Sequence, residues 1–147
     1  MRNLMTSSLI FIALLFSGSI FAHGTIDAHG TKDSKVKVVI HLSASTNNSY
    51  QAAINYTKAI RKLYKGNVDI AIVTDRSGVG LINSKNQYTQ QVNSLIADGV
   101  KFTACNATIT RLRKIKELPI IEGVNIVPNG VAEVVRLQTR GYLYVQP

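Results

Sequence analysis

The hydrophobic positions of this chain fall into short continuous runs, separated by segments with helical spacing. Val36-Lys37-Val38-Val39-Ile40-His41-Leu42 is rich in β-branched residues and predicts a buried strand. Asn47 to Ser49 can cap a helix that runs to about Tyr64. Its apolar face is Ala53, Tyr56, Ile60 and Leu63, and Lys65-Gly66 ends it. Val68-Asp69-Ile70-Ala71-Ile72-Val73 is a second strand. Ser84 and Gln87 have capping-box spacing, and the helix after them buries Tyr88, Val92, Leu95 and Ile96 before stopping at Asp98-Gly99. Val100 to Cys105 is a third strand. Thr108 to Lys116 is a short helix with Ile109, Leu112 and Ile115 inward, and Pro119 limits it. Val124 to Val127 is a fourth strand. Asn129-Gly130 opens a helix that buries Val131, Val134 and Val135. Gly141 ends it, and Tyr142 to Val145 is a last strand.

Strands and helices therefore alternate as βαβαβαβαβ. Continuous apolar strands need cover on both faces. The expected fold is α/β, a single-domain three-layer sandwich whose mostly parallel sheet of about five strands carries helices on both faces. In open sheets of this kind function sits beyond the carboxyl ends of the strands. Those ends are Leu42-Ser43-Ala44, Thr74-Asp75-Arg76, Cys105-Asn106 and Pro128-Asn129.

The first residues follow another pattern. Met1-Arg2-Asn3 is a short positive start, Leu9 to Phe16 is an apolar run, Ser17-Gly18-Ser19 breaks it, and Ala22 is a small residue at a cut. This order predicts a secretory signal peptide over 1–22. The run is short for a bilayer-spanning helix, and no other segment fits one, so no stable membrane insertion is expected after cleavage. Residues 23–34 read as a polar lead-in and 35–147 as the folded domain. The expected location is periplasmic or secreted.

Composition narrows the chemistry. The 147 residues suit one domain and hold a single cysteine. That excludes an intramolecular disulfide framework, a cysteine-based zinc site and a self-contained CxxC couple. The net charge is +9, and removal of Arg2 with the leader makes it +8. No RNP-like aromatic motif or long basic helix accompanies that charge, so it reads as attraction to anionic surfaces or partners and not as nucleic-acid binding. Gly78-Val79-Gly80 lacks the third glycine of a dinucleotide fingerprint and reads as a turn. No GxSxG or HExxH occurs. After cleavage His23 would be the first residue, and its amine and ring with His29 offer a copper-binding alternative to an incidental polar tail. No metal is otherwise expected. His41, near the end of the first strand, reads as a core histidine, with a place beside the site as the other option.

Cys105 is the informative residue. It ends a predicted central strand immediately before a helix, where free N–H groups and the helix dipole favour a thiolate. Arg111 and Arg113 follow in that helix. The alternative is a buried cysteine acting as a small hydrophobe.

Three stretches carry a resemblance. They are Gly99-Val100-Lys101-Phe102-Thr103-Ala104-Cys105-Asn106-Ala107-Thr108, the ending Val127 to Gln138 with Gly141-Tyr142, and Val38-Val39-Ile40-His41-Leu42-Ser43. Together they resemble the DsrE/DsrF-like sulfur-relay family, in its exported, signal-peptide-bearing branch. The resemblance spans about Lys35 to Pro147. It implies a small α/β sandwich that assembles into homo-trimers or hexamers, needs no cofactor, and carries sulfur as a persulfide on one cysteine, which maps onto Cys105. A carrier accepts one sulfur atom and passes it to a partner protein, so one thiol suffices, whereas a disulfide oxidoreductase usually uses two. It also implies a bacterial envelope, where the sequons at Asn47, Asn55 and Asn106 have no meaning.

The expected function is thus an exported sulfur carrier or relay component, rather than a turnover enzyme. Cys105 is its reactive group, and Asn106 and the Thr108 region supply N–H groups to the thiolate. Ser43, Asp75 and Asn129 are neighbours from other strand ends. The competing expectation is a non-catalytic oligomeric binding or assembly module in which Cys105 is structural.

Overall fold

The apolar runs become five strands: β1 (Val36–Leu42), β2 (Val68–Thr74), β3 (Lys101–Cys105), β4 (Asn125–Val127) and β5 (Leu143–Val145). Between them lie α1 (Asn47–Leu63), α2 (Thr89–Ala97), α3 (Asn106–Arg113) and α4 (Gly130–Gln138), with a 3₁₀ segment at Arg76–Ile82. This computed structural model describes residues 35–147. The leader, the lead-in, His23 and His29 lie outside the described residues. No helix among the described residues is long and apolar enough to cross a membrane.

The strands form one sheet in the order β4-β3-β2-β1-β5, and every neighbouring pair is parallel. The order decides where the helices go. From β1 to β4 the chain steps in one direction across the sheet. Right-handed crossovers therefore lay α1, α2 and α3 on the same face. The step from β4 to β5 runs back past β1, so α4 crosses on the opposite face. The two cores reflect this division. Ala53 and Ile54 of α1, Val92 and Leu95 of α2 and Ile109 of α3 pack with Ile40, Ile70, Ile72 and Phe102. On the other face Val134 and Leu137 of α4 pack with Val39, Ala71, Val73 and Tyr142. The result is the expected three-layer α/β arrangement, with one layer made by a single helix.

Several local expectations are corrected. Thr46, not Asn47, caps α1. Its hydroxyl accepts from the Ser49 N–H, and the Ser49 hydroxyl accepts from the Thr46 N–H. The buried stripe of α1 is Tyr50, Ala53, Ile54 and Thr57, while Tyr56 is exposed and Leu63 is 72% exposed. The sequence pattern alone was compatible with either stripe, because apolar residues occur on both. Ser84 and Gln87 form no capping box. The Ser84 N–H donates to the Pro119 carbonyl, and α2 begins at Thr89. Ile115 is 77% exposed beyond the end of α3, so it is not an inward residue. Along α4 the inward residues are Val134 and Leu137, and Val131 and Val135 are exposed.

The Gly78-Val79-Gly80 stretch falls in the 3₁₀ segment. A Cβ on Gly78 would sit 2.0 Å from the Leu42 carbonyl oxygen. This glycine lets the segment close over the end of β1.

The corrected face of α1 sets an expectation for stability. Ile54→Ala should cost about 2–5 kcal/mol, because it empties a fully buried site. Leu63→Ala should stay within about 0.5 kcal/mol. The midpoint of denaturant unfolding for the two variants reads the difference. Equal losses would contradict the packing described.

Candidate functional site

The reversal of chain direction places a crevice between β3 and β4. The loop leaving β3 turns to one face to begin α3, and the loop leaving its neighbour β4 turns to the other face to begin α4. This is the switch point at which open parallel sheets bind ligands. Cys105 stands at it. It is the last residue of β3, the residue before α3, and the lateral partner of Val127 on β4.

Both helix starts turn donors toward the sulfur. The Thr108 hydroxyl and the backbone N–H groups of Gly130, Thr108 and Ala107 all face Sγ. Cys105 closes no side-chain cap on α3, so these groups act chiefly through their field on a charged sulfur. Burial, at 6% exposure, pushes the thiol pKa up. The four donors together push it down and prevail, so the thiol titrates below its ordinary value.

The hydroxyl is aimed by its own partner. Arg76 has a left-handed backbone, φ 45°, which swings the chain sharply off β2. Its N–H then donates to Thr108 Oγ1 at 3.2 Å. With that oxygen occupied as an acceptor, the hydroxyl hydrogen is free for the sulfur.

Gly130 makes the close approach possible. A side chain there would begin 3.1 Å from Asp75 Cβ and 3.2 Å from Cys105 Cβ. Asn129 caps α4 by accepting from the Ala132 N–H at 3.1 Å, which fixes the helix start against the thiol. Asn106 is exposed at the start of α3. The donors nearest the sulfur belong to Ala107, Thr108 and Gly130, so its expected contribution passes to them.

A polar cluster adjoins this pocket. Ser43 donates to Asp75 Oδ1 at 2.6 Å, and its hydroxyl lies 3.1 Å from His41 Nε2. His41 Nε2 is 3.2 Å from Asp75 Oδ2, and its Nδ1 is 3.2 Å from the Tyr144 hydroxyl. Asp75 and Ser43 thus converge on one ring nitrogen of His41. A hydrolytic triad would put the carboxylate and the nucleophile on opposite nitrogens, so this is not one. Sequence reading had named Ser43 and Asp75. It had not named Tyr144, which only the pairing of β5 with β1 brings near.

Among the described residues no group of three His, Cys, Asp or Glu side chains gathers as a metal site. A groove of about 430 Å³ runs beside α4, lined in part by Lys101, Arg136, Arg140 and Tyr142. Lys101 is paired with Asp69, and Arg136 with Glu133. Cys105 does not line it.

Comparison with known proteins decides the family. The profile of the DsrE/DsrF-like family matches residues 18–147. The chain belongs to the DsrE/DsrF-like family. A search of curated proteins returned no match. Among solved structures, the protein of unknown function MTH1491 from Methanobacterium thermoautotrophicum is similar, with 28% identity and a TM-score of 0.70. The match covers 76% of this chain and 99% of that one. The ychN protein from E. coli shares the fold, with 23% identity and a TM-score of 0.59 over the same shares of the two chains.

In this DsrE-like chain the Thr108 hydroxyl should be separable from its bulk. Thr108→Val should move the pH midpoint of Cys105 alkylation upward, and Thr108→Ser should leave it near the parent. Rates measured across pH with a neutral alkylating reagent check this. An unmoved midpoint in Thr108→Val would remove the hydroxyl from the account.

Proposed function

We propose that this protein is an exported sulfur carrier of the DsrE/DsrF-like family, and that Cys105 holds the sulfur. The observation that carries the reading is the set of donors from two helix starts facing one sulfur. Such a setting favours the anionic form of the sulfur, which is the form that attacks sulfane sulfur. In the step proposed, the Cys105 thiolate attacks the outer sulfur of a polysulfide or persulfide donor. A new S–S bond forms on Sγ, the donor's own S–S bond breaks, and its electron pair leaves with the remaining donor thiolate. No further oxidant is required. Delivery is the same exchange in reverse, toward an acceptor thiolate.

Export is part of the proposal and rests on the leader pattern of residues 1–22. An oxidising compartment threatens a lone exposed thiol. The 6% exposure of Cys105 suits a sulfur that is shielded between transfers. The same burial favours the second reading, an assembly module in which Cys105 is packing. The two readings differ in reactivity, since a packing cysteine resists both alkylation and sulfur loading.

Intact mass of protein recovered from the envelope fraction tests the first reading. The chain should begin at His23. After incubation with polysulfide it should gain one or more sulfur atoms, which reductant removes and Cys105→Ser abolishes. A full gain in the variant, or no gain on a thiol that also resists alkylation, would overturn the carrier.

A homo-oligomer, a trimer or hexamer, is also proposed. α4 alone covers its face of the sheet, and Val131 and Val135 stand 50% and 55% exposed on it. Tyr144 is exposed on the same face, at an edge strand. Apolar residues left out in this way favour association. Sedimentation should find an assembly that Val135→Lys dissociates. A monomeric parent protein would end this part of the proposal.

A further inference from the structure

The registers place His41, Asp75 and Cys105 on one face of the sheet. His41 lies beside Val73 and Val73 beside Thr103. Side chains two residues apart on a strand share a face, so Asp75 follows Val73 and Cys105 follows Thr103 on that side. It is the side that α4 covers, where Val39, Ala71 and Val73 pack against Val134. Asp75 and Cys105 both press against Gly130 at the start of α4. A carboxylate and a thiolate therefore share one pocket.

That juxtaposition poses an electrostatic problem. Asp75 is 4% exposed, and the donors that serve its carboxylate are the Ser43 hydroxyl and His41. Ser43 brings no charge. Among the described residues, Arg76 beside Asp75 and Arg111 of α3 are exposed cations that make no ion pair with the carboxylate, and His41 is the basic side chain in contact with it. The first turn of α3 holds no acid, and Glu133 in the first turn of α4 is bound to Arg136. Uncompensated, the Asp75 charge would oppose ionisation of the thiol beside it.

We infer that His41 is a positioning residue for the Cys105 thiolate: with Ser43 it occupies the oxygens of Asp75, the carboxylate that shares the pocket with the sulfur. The bonding around the ring supports this. With Nδ1 accepting from the Tyr144 hydroxyl, Nε2 carries the hydrogen and donates to Asp75 Oδ2, so Tyr144 fixes the tautomer that serves the carboxylate. Sulfur loading then becomes sensitive to a side chain two strands away.

The inference rests on reading Cys105 as a nucleophile, and it is tested by a reaction that needs no sulfur donor. Alkylation of Cys105 in the full processed protein is followed across pH for the parent, His41→Gln, Asp75→Asn and the double variant. His41→Gln should slow alkylation at neutral pH by about threefold, the scale of one hydrogen bond lost to the neighbouring carboxylate. Asp75→Asn should speed it. In the Asp75→Asn background, His41→Gln should have little effect, because the carboxylate that His41 serves is gone. Equal effects of His41→Gln in both backgrounds, or none in either, would overturn the inference. Tyr144→Phe changes an exposed residue and provides a probe if His41→Gln does not fold. It should slow alkylation in the same direction by less, and an unchanged rate there would count against the inference. If these shifts appear but polysulfide never loads Cys105, the sulfur reading fails and the His41 role stands.

Discussion

The fold turns on a change of direction. Four strands are laid down in one sense across the sheet, and the fifth returns to the far edge beyond β1. Handedness of the crossovers then allows only one outcome, with α4 alone on its face. Two consequences meet at Cys105. The starts of α3 and α4 flank the crevice between β3 and β4, so two helix starts turn N–H groups toward a small volume. The same single-helix layer leaves Val131 and Val135 uncovered. One topological fact thus supplies both the electrostatic setting of the thiol and an apolar surface.

The sulfur's surroundings show how opposing effects are balanced. Removing a thiolate from water disfavours it, and that is the largest single influence on Cys105. Four short-range donors reverse the outcome. Two of them are held by something else: Thr108 Oγ1 by the Arg76 N–H, and the start of α4, with Gly130, by the Asn129 cap. Donors fixed in this way need not reorganise when charge appears. The left-handed Arg76 is the local strain that this arrangement tolerates, and it lies next to Asp75, at the site itself.

Much of this was legible in the sequence, for identifiable reasons. Short apolar runs marked all five strands, and Gly141 and Asp98-Gly99 marked helix ends, because backbone requirements there are local. The strand-end rule brought Ser43, Asp75, Cys105 and Asn129 into view before any geometry. What stayed hidden depended on pairing across the sheet. Tyr144 meets His41 only because β5 lies beside β1. Gly130 is a near-contact of Cys105 only because α4 starts at the neighbouring strand. Helix faces were misjudged where apolar residues occupy more than one side, as at Leu63 of α1 and Val135 of α4. Assembly could bury the latter, and a single chain's periodicity does not distinguish a core face from an interface.

On the sulfur-carrying reading, one more consequence follows from bond lengths. Loading moves the negative charge from Sγ to the outer sulfur, about 2 Å further along the new bond. Donors grouped tightly around Sγ hold the unloaded thiolate best, and their hold weakens as the charge moves away. The pocket would then favour the empty carrier unless something outside Sγ meets the displaced charge. The Asp75 carboxylate in the same pocket works against that role, and its hydrogen bonds to Ser43 and His41 limit how far. A carrier must load and also let go, so stabilising either form too strongly would stall the exchange. On this reading, donors fixed at Sγ alone set a bias toward the empty carrier, which eases delivery more than loading.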